Sequence, residues 1–503
     1  MVLSRRQFLA GAAVVAVGAR PHRPRHPVPV SAGQDGTALF RAGVASGDPD
    51  ATSVVLWTRL FPPDAGQPVE VSWEVAASPD FTTVATSGGA TATPDHAHTV
   101  HAVATLAPGT WYYRFIAGGV TSPVGRTVIA GPSPTSLRLA AASCQHYETG
   151  FYAAHRDIAQ QQPDLVLWLG DYIYEYSARP VGGPVVRTHD GPEITTLDQY
   201  RARYALYKSD PDLQAAHAAA AWLVMWDDHE VENNYAALTP ENPAGAAGFA
   251  ARRDAAYQAW WEHTPTRLAP PVAAQEYRVY RGAAWGDLAE FTLLDGRQYR
   301  TDQACGDAVL KLDPPCPEIR SPGRTMLGDA QEIFLEDRLA GSTSRWNVIG
   351  NQTIMADATI NGAVLNYDQW DGYPEARERF FAFLHAKAIP NVVVLTGDIH
   401  LAAVAQLRQG DSASGPVVGA EFISTSISSS GLVDASFTEI LKKFPSLLDA
   451  ELVHRGYALH TVTPEQWSAE YRIVTDVTDA ASTVTTYGTY VVKAGTNTVT
   501  VAR

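Results

Sequence analysis

Cysteine is scarce in this sequence: three in 503 residues, too few for a disulfide framework to stand in for a hydrophobic core. Positive charge is short as well. Lys and Arg number 38 against 53 Asp and Glu, a net charge of −15. A nucleic-acid binder usually carries a basic face, so this balance argues against a stable nucleic-acid partner. It also removes long-range steering of anionic substrates, so an anion site must draw its positive charge locally, from arginines or metals. Long apolar runs are missing: the run from Phe8 to Ala19 has twelve residues, against about 20 for a bilayer span. Three catalytic signatures are absent. There is no G-x-S-x-G elbow, no lysine follows a glycine as in a P-loop, and "HEVEN" at 229–233 lacks the second histidine of a zincin. No internal repeat is visible.

What is present suits a globular protein of two or three domains, with 46% hydrophobic and 18% charged residues. The opening "MVLSRRQFLAGAAVVAVGAR" places Arg5 and Arg6 ahead of the short apolar run. This resembles a twin-arginine export signal over residues 1–19, cleaved after Ala19. It implies the twin-arginine machinery as a partner, a mature chain with no transmembrane segment, and a secreted or cell-wall-side location. Exported cysteines meet oxidising conditions. Cys305 and Cys316, eleven positions apart, are then the natural disulfide pair, and Cys144 in "RLAAASCQHYETG" is left over.

Residues 20–37 read as a Pro-rich linker. Residues 38–131 hold "TSVVLWTRL", "VEVSWEVAA", "HTVHAVATL" and "GTWYYRFIAG", separated by "GDPD", "SPDF" and "APGT". Short strands at regular spacing predict a β-sandwich of fibronectin type III or immunoglobulin character. After the linker "GPSPTS" the pattern changes. From residue 137 to 503 apolar strands such as "DLVLWLGDY" and "PNVVVLTGDIHLA" alternate with helical stretches such as "LGDAQEIFLEDRLAG". That is an α/β pattern with much parallel or mixed sheet, closed by tail strands after residue 468.

The apolar strands end in polar bursts: "SCQH" after Arg138–Ala142, "GDYIY" after Leu165–Leu169, "DDHE" after Leu223–Trp226 and "TGDIH" after Val392–Leu395. In α/β folds, sites form beyond the carboxyl ends of strands. Each burst alone has a bland reading: a loop-capping aspartate, a core histidine, a solvated turn. Four together supply Cys, Asp, Tyr and His, all metal-ligand types. The adjacent Asp227 and Asp228 repel unless a cation sits nearby.

"SCQ", "GDYIYEY", "WDDHEVENN", "DGRQYR", "GNQ" and "LTGDIHLA" resemble, in order, the PhoD-type alkaline phosphatases of the calcineurin-like metallophosphoesterase superfamily. The likeness runs over roughly residues 38–500. It implies a four-layer α-β-β-α catalytic domain behind the β-sandwich, with one ferric ion and one or two calcium ions. Carried onto this sequence, Cys144, Asp171, Tyr174 and His400 are the iron set, with Asp171 bridging the metals. Asp398 serves calcium, Asp227 or Asp228 is the next calcium ligand, and Asn234 is a further candidate. His229 stabilises the transition state or protonates the leaving group.

The implied activity is release of phosphate from organic esters, by metal-assisted hydroxide attack on phosphomonoesters or phosphodiesters. Arginine forks suit phosphate oxygens, and Arg297, then Arg267, are the candidates to hold them. Salt bridging is the alternative role for both. Nucleotides and phospholipids fit the same metal chemistry, and a phospholipase D-like diesterase is the alternative enzyme. A non-catalytic exported binding protein is the alternative outside enzymes, disfavoured because the whole ligand set is present. Loops 177–200 and 236–275 are expected to set substrate preference.

Overall fold

The strands Leu165–Trp168 and Ala221–Val224 bury every side chain in the computed structural model, which describes residues 38–178, 184–307, 314–431, 437–441 and 443–502. Both faces are covered, as continuous apolar runs require. The expected signal peptide and Pro-rich linker lie outside the described residues.

Among the described residues the chain is mixed α/β with three sheets. A ten-stranded sheet has Leu137–Ala142, Leu165–Trp168 and Ala221–Val224 as parallel neighbours near its centre. A seven-stranded sheet places Ala289–Leu293, Trp346–Asn351, Val392–Thr396 and Val417–Ile423 side by side in parallel. The tail strands Gln466–Val474, Val484–Lys493 and Val499–Ala502 extend the first sheet antiparallel, as the sequence pattern predicts.

Alternation along the strands decides which layer each side chain joins. Leu139, Leu165, Leu167 and Leu223 share one buried cluster with Phe291, Leu293, Val348 and Leu395 of the other sheet. Ala140, Val166, Trp168 and Trp222 point the other way, into a cluster with Ile158, Tyr204, Leu213 and Trp260 from helices. Val392 and Val394 turn to Leu335 and Phe380, on the helices Asp329–Gly341 and Pro374–Ala386. Each fully buried Leu, Val or Phe contributes roughly 1.5–3 kcal/mol.

Three helices go beyond the sequence reading: Leu197–Lys208, Pro211–Ala219 and Phe249–His263. The last corrects the expectation of a loop over 236–275. Its signals were present in good helix formers such as Ala, Arg and Gln, but its buried aromatic residues do not form a clean stripe. Leu197–Lys208 starts at a capping box made by Thr196 and Gln199.

The four expected N-terminal strands form, joined by Val44–Gly47 and Val84–Ala92, which the sequence pattern does not mark. Val69–Ala76, Val84–Ala92 and Gly109–Ala117 belong to a five-stranded sheet. Val44–Gly47, Ser53–Arg59 and Thr99–Thr105 instead complete the ten-stranded sheet, with Ser46 opposite Ala221 in a parallel pair. The segment read as a separate sandwich thus shares backbone hydrogen bonds with the α/β part. Cys305 and Cys316 form a disulfide, and Cys144 is a buried free cysteine, both as expected.

Candidate metal centre

The polar bursts converge because glycine lets the strand ends approach. Gly170 has φ +118°, and a Cβ there would lie 2.4 Å from the Asp227 Cβ. At Gly397 a Cβ would lie 2.7 Å from Ser143 Oγ. Each glycine precedes an aspartate, Asp171 or Asp398, so the two "GD" pairs are steric requirements of the crossing. The backbone is strained where the ligand types sit. Cys144, Asp171, Asn234, Asp398 and His400 all have φ between 53° and 63°, a region that non-glycine residues seldom occupy. Such strain persists only where the surroundings over-determine it, and it clusters at functional sites.

Candidate ligand atoms of Cys144, Asp171 and His400 all lie within 4.8 Å of one another. The same holds for Asp171, Asp228 and His229, and for Asp227, Asp228 and Asp398. Tyr174 Oη lies 2.8 Å from Asp171 Oδ2 and 3.1 Å from His400 Nε2. His400 Nδ1 is 2.7 Å from the Ser430 carbonyl. A carbonyl only accepts, so Nδ1 carries the hydrogen and Nε2 presents a lone pair. Asp171 Oδ2, Tyr174 Oη and His400 Nε2 therefore crowd three electron-pair donors around a single phenolic proton, an arrangement a cation resolves.

Further in, Asp171 Oδ1, Asp227 Oδ2 and Asp228 Oδ1 are shielded from solvent with no hydrogen-bond partner, a costly state for a carboxylate. Protonation follows the same logic. Burial pushes Asp171 and Asp227 well above the usual carboxylate range, with neighbouring aspartates adding to it. Burial, then Asp171, pushes the Cys144 and Tyr174 groups up as well. Each of these shifts disfavours the charged form, which a bound cation would favour.

A family model for PhoD-like phosphatases matches residues 139–471, and one for the PhoD-like phosphatase N-terminal domain matches residues 27–131. Alkaline phosphatase D of Bacillus subtilis (strain 168) is 43% identical over 472 residues, covering 90% of this chain and 80% of that protein. The chain belongs to the PhoD-like phosphatase family. It is a phosphoesterase. A solved structure of PhoD matches with a TM-score of 0.88 at 42% identity, covering 94% of each chain.

In this PhoD-like phosphatase both arginines make salt bridges, the alternative the sequence left open for them. Arg297 is fully buried. Its fork grips both oxygens of Asp368 at 2.8 and 2.9 Å, and its Nε reaches Asp227 Oδ1 at 2.5 Å. Asp228 and Asp398 lie within 4 Å of the same guanidinium. Arg297 is an internal counter-ion of the aspartates, its fork already filled by a carboxylate. Arg267 is not brought to the centre at all. It bonds the Asp48 carbonyl and Ser53 and pairs with Asp50, across from the N-terminal strands. Asn234 is close by: its backbone N–H donates to Asp228 Oδ2 at 2.6 Å and its side-chain Nδ2 to Asp307 Oδ2 at 3.1 Å.

Residues the sequence reading missed complete the site. Glu175 accepts from His229, Gln369 donates to Asp398 Oδ2, and Glu230 accepts backbone N–H groups from Asp171, Tyr172 and Asp227. Glu175 was within reach as the acidic end of "GDYIYE". Asp368 and Gln369, in "NYDQW", carried no signal.

A second group, His146, Glu148 and His189, also has ligand atoms within 4.8 Å of one another. Its His189 is already engaged by protein groups. Tyr207 Oη accepts N–H bonds from Tyr147 and Tyr174, so its own proton goes to His189 Nε2 at 3.0 Å. His189 Nδ1 then keeps its hydrogen, directed at the Tyr176 carbonyl at 3.3 Å. Burial, then the charge of Arg203, pulls this imidazole down to about 3.

Proposed function

We propose that the convergent centre is the hydrolytic site of an exported alkaline phosphatase cleaving phosphomonoesters, phosphodiesters or both. One ferric ion would be held by Cys144, Asp171, Tyr174 and His400. One or two calcium ions would be held by Asp171, Asp227, Asp228 and Asp398, with Asn234 a weaker candidate. The observation that carries this reading is the set of buried carboxylate oxygens without a hydrogen bond on Asp171, Asp227 and Asp228, adjoining a thiol, a phenol and an imidazole. Thiolate and phenolate suit iron, and an all-oxygen set suits calcium.

When bound, such cations neutralise phosphate charge and acidify the attacking water. The chain's own groups do the rest. His229 Nδ1 is tied to Glu175, which leaves its other nitrogen to protonate a departing oxygen. Ser430 fixes the His400 tautomer, and Gln369 holds Asp398. Arg297 holds four aspartates together and offsets part of their charge.

Support for the four-layer α-β-β-α reading, with an N-terminal sandwich, comes from the alternation that divides the strands among three clusters. Support for export comes from Arg5 and Arg6 ahead of a short apolar run. Among the described residues no helix is long and apolar enough to cross a membrane.

A panel of p-nitrophenyl phosphate, bis-p-nitrophenyl phosphate and phosphatidylcholine, with metal analysis of the same sample, tests the reading. Turnover of the first two with iron and calcium present is expected. Turnover of phosphatidylcholine alone would turn the assignment to a phospholipase D-like diesterase.

A further inference from the structure

The segment "STSISSS", which follows the strand Val417–Ile423, wraps the centre with a row of buried serines. One of them is bound to two groups by one proton. Ser429 Oγ lies 2.8 Å from the Cys144 carbonyl and 2.8 Å from Tyr174 Oη. It also accepts the His146 N–H at 3.0 Å. A hydroxyl has one hydrogen to give, so it serves either the carbonyl or the phenol oxygen.

We propose that Ser429 is a positioning residue for the iron ligand Tyr174, its hydroxyl hydrogen lying on the phenolate oxygen when the metal is bound. Tyr174 Oη also lies 2.8 Å from Asp171 Oδ2, and the Cys144 carbonyl is the other acceptor within reach of the Ser429 hydrogen. Tyr174 would bind such a metal as the phenolate, and a charge-assisted hydrogen bond outweighs a neutral one. The turn costs little, because the Cys144 carbonyl keeps the backbone N–H groups of Ser428 and Ser429 at 3.4 and 3.3 Å. The serine loop is also held in place, since Arg455 donates to the Ser429 carbonyl and to the His400 carbonyl. One loop thus sets both the His400 tautomer, through Ser430, and the electron density of Tyr174. Hydrogen bonds from such outer groups tune a bound metal.

This rests on the iron assignment, and the test separates the two. The metal-loaded protein is examined by visible absorption and resonance Raman, with iron measured in every sample. A hydrogen bond lowers the energy of the phenolate donor electrons, so Ser429→Ala is expected to move the phenolate-to-iron band to longer wavelength at unchanged iron content. Ser429→Thr, which keeps the hydroxyl, is expected to restore it. Wild-type protein exchanged into D2O supplies a reading that needs no variant: the phenolate C–O stretch is expected to shift. An unmoved band in Ser429→Ala, or a C–O stretch indifferent to D2O, overturns the role of Ser429 alone. Wild-type protein that binds no iron and shows no band overturns the iron assignment beneath it.

Discussion

His229 Nδ1 and Glu175 Oε2 meet at 2.7 Å, with both side chains buried. The other Glu175 oxygen accepts the Asn233 N–H at 2.9 Å, so the carboxylate is fixed from both ends. Burial works against a charged imidazole here, but Glu175, then Asp228 and Asp171, overcome it and raise His229 well above its ordinary value. His229→Ala is expected to lower kcat by roughly 10²-fold or more, the scale of a lost proton-transfer group, with metal content near normal. Glu175→Gln keeps an acceptor but removes the charge. It is expected to lower the pKa of His229 and move the alkaline limb of the kcat profile to lower pH. A purely structural Glu175 would reduce yield or stability and leave that limb in place.

The strand ends and nearly all the ligand types were legible because each burst is local: an apolar run, a glycine, then aspartate, tyrosine or histidine. The partners that hold them were not. Asp368 lies 71 positions from Arg297, and no local pattern marks that meeting. The choice between phosphate and carboxylate for the two arginines stays open in the sequence for the same reason. A fork that fits phosphate also fits a carboxylate, and only the fold shows that Asp368 occupies it. Helix Phe249–His263 was hidden by the absence of a clean apolar stripe. The sheet shared by Val44–Gly47 and Ala221–Val224 was hidden by 174 intervening residues (Ser46 to Ala221 is the pair that joins them).

Arg297→Lys separates a counter-ion from a phosphate clamp. Lysine keeps the charge but loses the two-pronged grip on Asp368. Calcium affinity and thermal stability are expected to fall together, while KM for p-nitrophenyl phosphate changes little once calcium is saturating. Titrating calcium against activity, then measuring KM at the plateau, checks this. A KM raised tenfold at saturating calcium would return Arg297 to the substrate.

Lys208 is expected to make folding stability depend on pH. It is buried, with Nζ 4.3 Å from the Trp57 ring and 4.9 Å from the Tyr172 ring. Burial pulls it from 10.5 down to about 7. Between those values the unfolded chain holds a proton that the folded chain lacks, so this group makes stability rise with pH across that window. Below about 7 both states are charged and the full penalty of burying the ammonium remains. Lys208→Met is expected to be more stable than wild type at neutral pH, the gain shrinking toward pH 10. Denaturant melts of both proteins at several pH values measure it. A constant difference would remove Lys208 from the pH response.

Arg5 and Arg6 carry the export proposal. Replacing both with lysine keeps the charge and the apolar run but removes the twin-arginine pair. The double variant is expected to stay in the cytoplasmic fraction on cell fractionation. Normal export of that variant would leave the apolar segment as an ordinary secretory signal.

Colour and chelation distinguish the two kinds of metal. A ferric ion held by the Tyr174 phenolate and the Cys144 thiolate is expected to give a charge-transfer band in the visible. Calcium has only oxygen ligands, no such band, and faster exchange. Mild EGTA treatment is therefore expected to abolish activity while the colour remains, and added calcium to restore the activity. Tyr174→Phe removes one charge-transfer donor but keeps the buried ring, so the band is expected to shift or bleach while the fold survives, as far-UV circular dichroism would show. The order of loss is the discriminating point. Colour that disappears together with activity under EGTA would place calcium and iron in one exchangeable set. A colourless, fully active enzyme carrying zinc would refute iron. It would leave the phosphoesterase intact, because the buried carboxylate oxygens of Asp171, Asp227 and Asp228 need a cation whichever metal supplies it.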